Sequence, residues 1–207
     1  MICPGQLRFL LAGGGIGRYN RAMLKRLASC IAVIGVLSPI WCWPGDSGSL
    51  EVTVQATGGV KATATVLFPV EPGIIQQLLT DYTHWPDLFD IRMRMVEIRK
   101  QADNVLTDIR IQHALLPGER RLLSESRTLP TGGLLTELTG GDFKQYRRVW
   151  ALSPAEGGTH TKAEFELLVE IETIVPDWVT AVAMRQELET HFRIVKEKAL
   201  ARVTQGR

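Results

Sequence analysis

From Leu50 onward apolar and polar residues alternate in runs with a period of two, broken once near the start and once at the end by runs with a helical period. Leu50 to Ala56 sets Val52, Val54 and Ala56 against Glu51, Thr53 and Gln55, and after Gly58-Gly59 the alternation resumes through Val60, Ala62, Ala64, Val66 and Phe68. Two strands joined at a glycine turn follow, because successive strand side chains point to opposite faces. Pro69 and Pro72 end the extended run, and Ile74, Ile75, Leu78 and Leu79 then fall at helical spacing. The pattern predicts a short helix over 73–79, a turn at Asp81-Tyr82, and a second short helical segment with Pro86 near its start.

The period of two returns at Ile91, where Ile91, Met93 and Met95 oppose Arg92 and Arg94. Val96 and Ile98 continue in shifted phase, which predicts a bulge near Met95. Val105, Thr107, Ile109 and Ile111 face away from Asp108, Arg110 and Gln112, and further strands are read over 119–129, 134–139, 143–152 and 159–171. In the last of these Ala163, Phe165, Leu167, Val169 and Ile171 oppose Lys162, Glu164, Glu166, Glu170 and Glu172, so one face is dry and one wet, as in an antiparallel sheet covered on one side. After Pro176 the residues Trp178, Ala181, Met184, Leu188, Phe192, Val195, Ala199 and Val203 fall at steps of three or four. They form one apolar stripe on a long terminal helix. The fold class is therefore α+β: an antiparallel sheet wrapped around a long C-terminal helix, with two short helices after the first strands.

Upstream of this body the pattern changes. Lys25-Arg26 precede an almost unbroken apolar stretch from Leu27 to Trp43, the layout of a secretory signal, although the run is close to the length of a spanning helix and Pro39 would weaken its end. Residues 1–45 are read as a leader, a signal peptide or an N-terminal membrane anchor, with Met23 as the expected true start, and 46–207 as the folded domain. No Ala-x-Ala cleavage site is present, so retention as an anchor stays open. A lipoprotein reading of Cys42 is disfavoured by Trp41, where a small residue is wanted. Gly13-Gly14-Gly15-Ile16-Gly17 lacks the preceding strand, the third glycine and the following βαβ unit of a dinucleotide loop.

Charge and cysteine follow the same division. Five of the 24 basic residues precede Asp46, the first acid, leaving 19 against 22 acids in the remainder, which argues against a nucleic-acid-binding body. Cys3, Cys30 and Cys42 are all the cysteines there are, so the body has no disulfide, thiolate metal site or cysteine nucleophile.

The order of elements resembles the helix-grip fold of the START-like (SRPBCC) superfamily, which includes polyketide cyclase/dehydrase-type and coenzyme Q-binding proteins. The resemblance rests on Phe68-Pro69, the helix through Ile74 to Leu79, Asp81-Tyr82 through Trp85-Pro86, then Gly141-Asp142-Phe143, Trp150 and Gly158-Thr159, and it covers residues 50–205. It implies an apolar ligand cavity between sheet and terminal helix, lined by Met184, Leu188, Phe192 and Val195 with Trp85, Phe89, Tyr146 and Trp150, against the alternative that these residues simply pack.

Catalytic and metal constellations are not found: His84, His113, His160 and His191 are scattered without metal-ligand spacing. His113 shares a face with Val105, Ile109 and Ile111 and is placed either as an inward acid-base group or as a hydrogen-bonded core histidine, whereas His191, beside the stripe, is expected in solvent. Arg148 shares a face with Tyr146 and Trp150, which could set a buried guanidinium and a phenol at the end of the cavity to hold a ligand head group. The alternative is a cross-strand ion pair with an acid such as Glu137. The function expected is binding or transport of a hydrophobic ligand, a lipid or isoprenoid quinone, outside the cytoplasm and in association with the membrane, with no cofactor and no nucleic acid. A cyclase/dehydrase-type enzyme and an interaction module with a closed cavity are the alternatives.

Overall fold

The computed structural model describes residues 48–205; the leader and the expected start at Met23 lie outside them. One eight-stranded antiparallel sheet runs in the order β1-β2-β8-β7-β6-β5-β4-β3. Its strands are β1 (Ser49–Val54), β2 (Val60–Phe68), β3 (Arg92–Lys100), β4 (Val105–Gln112), β5 (Glu119–Thr128), β6 (Gly133–Gly141), β7 (Phe143–Ala155) and β8 (His160–Ile171). Helix α1 (Pro72–Thr80) and a 3₁₀ segment over Tyr82–Leu88 connect β2 to β3, and α2 (Asp177–Gln205) closes the chain. This is the predicted helix-grip arrangement, with α2 packed against β1, β2, α1 and the 3₁₀ segment.

The first connection, at Gly58-Gly59, is a tight glycine turn between neighbouring strands; β2 then pairs with β8, which brings the two ends of the described chain side by side and leaves β1 and β3 as the edges of an open sheet. The pairing registers put the dry faces in rows across the sheet. Ala64, Phe165, Trp150 and Leu134 form one row, and Ala62, Leu167, Arg148 and Thr136 form the next. A phase shift between Met95 and Glu97 is the bulge the sequence predicts near Met95.

Two details differ from the sequence reading. Pro86 lies inside a single 3₁₀ segment that begins at Tyr82; it has no N–H to give, and it opens the last turn, its carbonyl accepting from the Phe89 N–H at 3.4 Å. Strands β6 and β7 run past the predicted ends at Thr139 and Leu152, to Gly141 and Ala155, where Gly140, Gly141 and Pro154 carry no alternating side chain to reveal them.

Trp150 is fully buried at the centre of the core, with ring centroids of Phe165 at 4.8 Å, Phe192 at 5.6 Å and Phe68 at 6.3 Å. Val195 and Ala199 on α2 are fully buried in the same cluster, together with Ala62 and Ala163 from the sheet. Each large side chain so buried contributes on the order of 1.5–3 kcal/mol, which anchors this half of α2 to the sheet.

Candidate functional site

Beyond the Trp150 cluster the sheet and α2 separate around a cavity of about 170 Å³. In apolar surroundings a void of roughly 150 Å³ seats a benzene-sized group, so the enclosed part takes about one substituted ring or a short acyl segment. Its walls come from the dry faces of the strands: Ile109 and Ile111 on β4, Leu122 on β5, and Leu167 and Val169 on β8. Alternation places Ile109, Ile111, Leu167 and Val169 together on dry faces, but no property of sequence separates an inward residue that packs from one that borders a void. A second, wider recess of about 680 Å³ shares Phe89, Ile91, His113, Leu116, Ala183 and Glu187 with the first, so the cavity opens to the surface past these residues.

Six of the nine residues singled out in sequence meet here. Trp85 and Phe89 enter from the 3₁₀ segment and its end, Tyr146 and Arg148 from β7, and Met184 and Leu188 from α2. Trp150, Phe192 and Val195 line no part of the cavity; they fill the core behind it.

Trp85 is fixed by its indole Nε1, which donates to the Leu79 carbonyl at 2.9 Å, and by Tyr82, whose ring centroid lies 4.8 Å away. Over that indole stands Arg148, with the guanidinium carbon 4.5 Å from the ring centroid and 6.0 Å from that of Phe89. Cation–π attraction of this kind strengthens where water is excluded, and Arg148 is only 6 % exposed. Arg148 Nε has no hydrogen-bond partner. Glu137, the acid weighed as its partner, faces the other side of the sheet and pairs with Arg127 and Arg147. Neighbouring strand positions alternate faces, so Arg147 is outside and Arg148 inside.

His191 corrects the expectation of a solvated histidine. It is 2 % exposed, stacked on Phe89 at 4.2 Å between ring centroids, and its Nδ1 lies 2.7 Å from the Leu88 carbonyl oxygen. A carbonyl only accepts, so Nδ1 carries the proton and donates; Nε2 is then a bare lone pair, buried with no partner. Burial, reinforced by the Arg148 charge and opposed by the Leu88 hydrogen bond, pushes the imidazole down to about 4, so at neutral pH it is uncharged. Its position follows from helix geometry. Each residue turns about 100°, so His191 lies well round the helix from Phe192 toward Thr180, Ala183 and Glu187, which also border the cavity. The spacing of Thr180, Ala183, Glu187 and His191 was a signal of this second face, hidden because its members are small or polar.

The opposite shift overtakes Trp178, which was counted in the stripe but is 67 % exposed, with Val182 at 65 % on the next turn. Steps of three residues from Trp178 to Met184 fall short of a full turn, so the stripe drifts around the helix and its first member is left outside.

At the opening His113, on the loop after β4, forms an ion pair through Nε2 with Glu187 of α2. Burial raises the Glu187 carboxyl above the usual range, against the attraction of His113. On the outer face of the sheet the acidic row of β8 is ion-paired, Glu166 with Lys61 at 2.8 Å and Arg147 at 2.5 Å, and Glu164 with Lys162 at 2.7 Å. No group of three or more His, Cys, Asp or Glu side chains able to hold a metal occurs among the described residues.

No protein-family model and no curated protein matches the sequence. Solved structures do match the fold. A protein from Thermus thermophilus superposes with a TM-score of 0.58 at 18 % identity, over 68 % of this chain and 97 % of that one. A START superfamily protein from Mycobacterium smegmatis gives 0.54 at 14 % identity over 68 % and 97 %. The Zhui aromatase/cyclase from a Streptomyces species gives 0.54 at 9 % identity over 75 % and 96 %. With its open antiparallel sheet gripping a long terminal helix, the chain has the START-like helix-grip fold.

Proposed function

We propose that the protein binds and carries a hydrophobic molecule, a lipid or an isoprenoid quinone, in the cavity between its sheet and α2. The observation that carries this reading is the cavity itself: an apolar void with an opening, bordered by Ile109, Ile111, Leu122, Leu167 and Val169, with one buried guanidinium inside. A domain selected only for packing would close such a space, since each unfilled volume forgoes dispersion contacts. Affinity comes from apolar burial, and the polar groups set orientation.

The apolar stretch from Leu27 to Trp43 behind Lys25-Arg26 supports export, and we place the carrier on the outer side of the cytoplasmic membrane. Exposed Ile174, in the connection before α2, with Trp178 and Val182 on the first turns of that helix, suit work beside a bilayer. A second reading, an enzyme of the aromatase/cyclase kind, is favoured by the His113–Glu187 pair at the opening, which could move a proton.

Transfer of a fluorescent fatty acid and of a fluorescent isoprenoid quinone, supplied as quinone and as quinol, from donor to acceptor vesicles separates these readings. A carrier accelerates transfer of at least one of them in proportion to its concentration and returns it unchanged. Transfer no faster than the spontaneous rate sinks the carrier reading, and chemical conversion of a bound polyketide-like substrate would establish the enzyme.

A further inference from the structure

Two buried polar atoms on residues that border the cavity have complementary unmet needs, and, taken together with the binding reading above, they specify the buried end of the ligand. Arg148 offers a buried N–H with no acceptor, and His191 a buried Nε2 lone pair with no donor; Trp150 Nε1, also without a partner, belongs to a ring 5.8 Å from His191 that fills the core behind the cavity and does not line it. Arg148 and His191 both border the cavity and both lie against the Phe89 ring. Acids do not answer the guanidinium: Glu187, the carboxyl that borders the cavity, is joined to His113 at the opening, and Glu137 and Glu166 are engaged with Arg127, Arg147 and Lys61 on the outer face. Leaving a donor and an acceptor both unmet in a buried site is costly, and native proteins rarely do so.

We propose that the ligand carries a weakly acidic hydroxyl at its buried end, a phenol, an enol or an undissociated carboxylic acid, whose oxygen accepts from Arg148 and whose O–H donates to His191 Nε2. Other head groups meet only half of the requirement. A ketone or an ether accepts from Arg148 but leaves the His191 lone pair bare. A carboxylate pairs with Arg148 and turns negative oxygen toward that lone pair. An ammonium group is repelled by the guanidinium. The positive charge favours oxygen that bears partial negative charge, which selects an acidic hydroxyl over an aliphatic alcohol.

Equilibrium dialysis of the full-length protein at neutral pH against naphthalene, 2-naphthol and 2-methoxynaphthalene tests this with one ring system and three head groups. The expected result is binding of 2-naphthol about tenfold tighter than either of the others, the size of one good charge-assisted hydrogen bond. The ether keeps the acceptor but exchanges the proton for a methyl group, so the part of its deficit that His191→Phe removes is what reads donation to His191. Arg148→Met and His191→Phe should each reduce the preference to about threefold or less while naphthalene is still held. Equal affinities for the three compounds in the unmodified protein would overturn the inference while leaving the binding reading intact; that is the result if a water molecule bridges Arg148 and His191. Failure to hold naphthalene at all would overturn both. The three-ligand comparison needs no variant, so a substitution that prevents folding does not remove the test.

Discussion

His191 sits with its Nδ1 proton on the Leu88 carbonyl and its ring face on Phe89, so folding encloses an imidazole in its neutral form. That choice has a pH signature. An unfolded histidine titrates near 6.5, whereas burial first, and then the Arg148 charge, hold the folded one at about 4. Between these values the unfolded chain binds the proton and the folded one does not, so stability is intact above about 6.5 and falls as pH drops toward 4. The loss is on the order of 3 kcal/mol for this one group. Asp81 behaves in the same sense at lower pH: burial would raise its carboxyl, but His84 and Arg202 outweigh it and hold it below the usual range. Urea unfolding across pH 4 to 7 should show a slope that is largely removed in His191→Phe; an unchanged slope in that variant would refute the assignment. Glu187, raised by burial, acts with the opposite sign, and the comparison of the two proteins isolates His191. Arg148 was legible in sequence because Arg147 beside it forces one of the pair inward. His191 was not, because its partner Leu88 lies 103 positions away in the chain and no local pattern announces it.

At the scale of elements, α2 works with two faces. Phe192, Val195 and Ala199 grip the sheet, and Thr180, Ala183, Met184, Glu187 and His191 border the cavity. Periodicity found the first face and Met184 because they are apolar, and it missed Thr180, Ala183, Glu187 and His191, which are small or polar and read as facing water. The short helix α1 is tied to the sheet by Gln76, whose Oε1 accepts from the Gly133 N–H at 2.6 Å and whose Nε2 donates to the Gly133 carbonyl at 3.3 Å. Gly133 stands at φ +105°, and a Cβ there would meet the Trp150 carbonyl oxygen at 1.9 Å. Gly133→Ala should therefore cost about 3 kcal/mol or more, from backbone strain and a clash beside the central core residue. Chemical denaturation checks it, and a loss within about 0.5 kcal/mol, the range of an ordinary surface substitution, would contradict the account of the close approach of Gly133 to the Trp150 backbone.

For the whole molecule, the sequence order of strands, small helices, strands and one long helix sufficed for the architecture, because each element carries its own period. The cavity is a property of none of them. It arises where the dry face of the sheet and α2 part beyond Trp150, and the residues that fill the core, Trp150, Phe192 and Val195, look in sequence just like those that border the void. The central claim is that this void holds a hydrophobic molecule. Native mass spectrometry of the purified full-length protein, with organic extraction of what accompanies it, tests that claim most directly. The account predicts one apolar molecule per chain, bearing an acidic hydroxyl, and its loss when Met184→Trp fills the cavity while the fold is retained. Protein that remains at its bare mass, alone and after incubation with quinol or fatty acid, would contradict it.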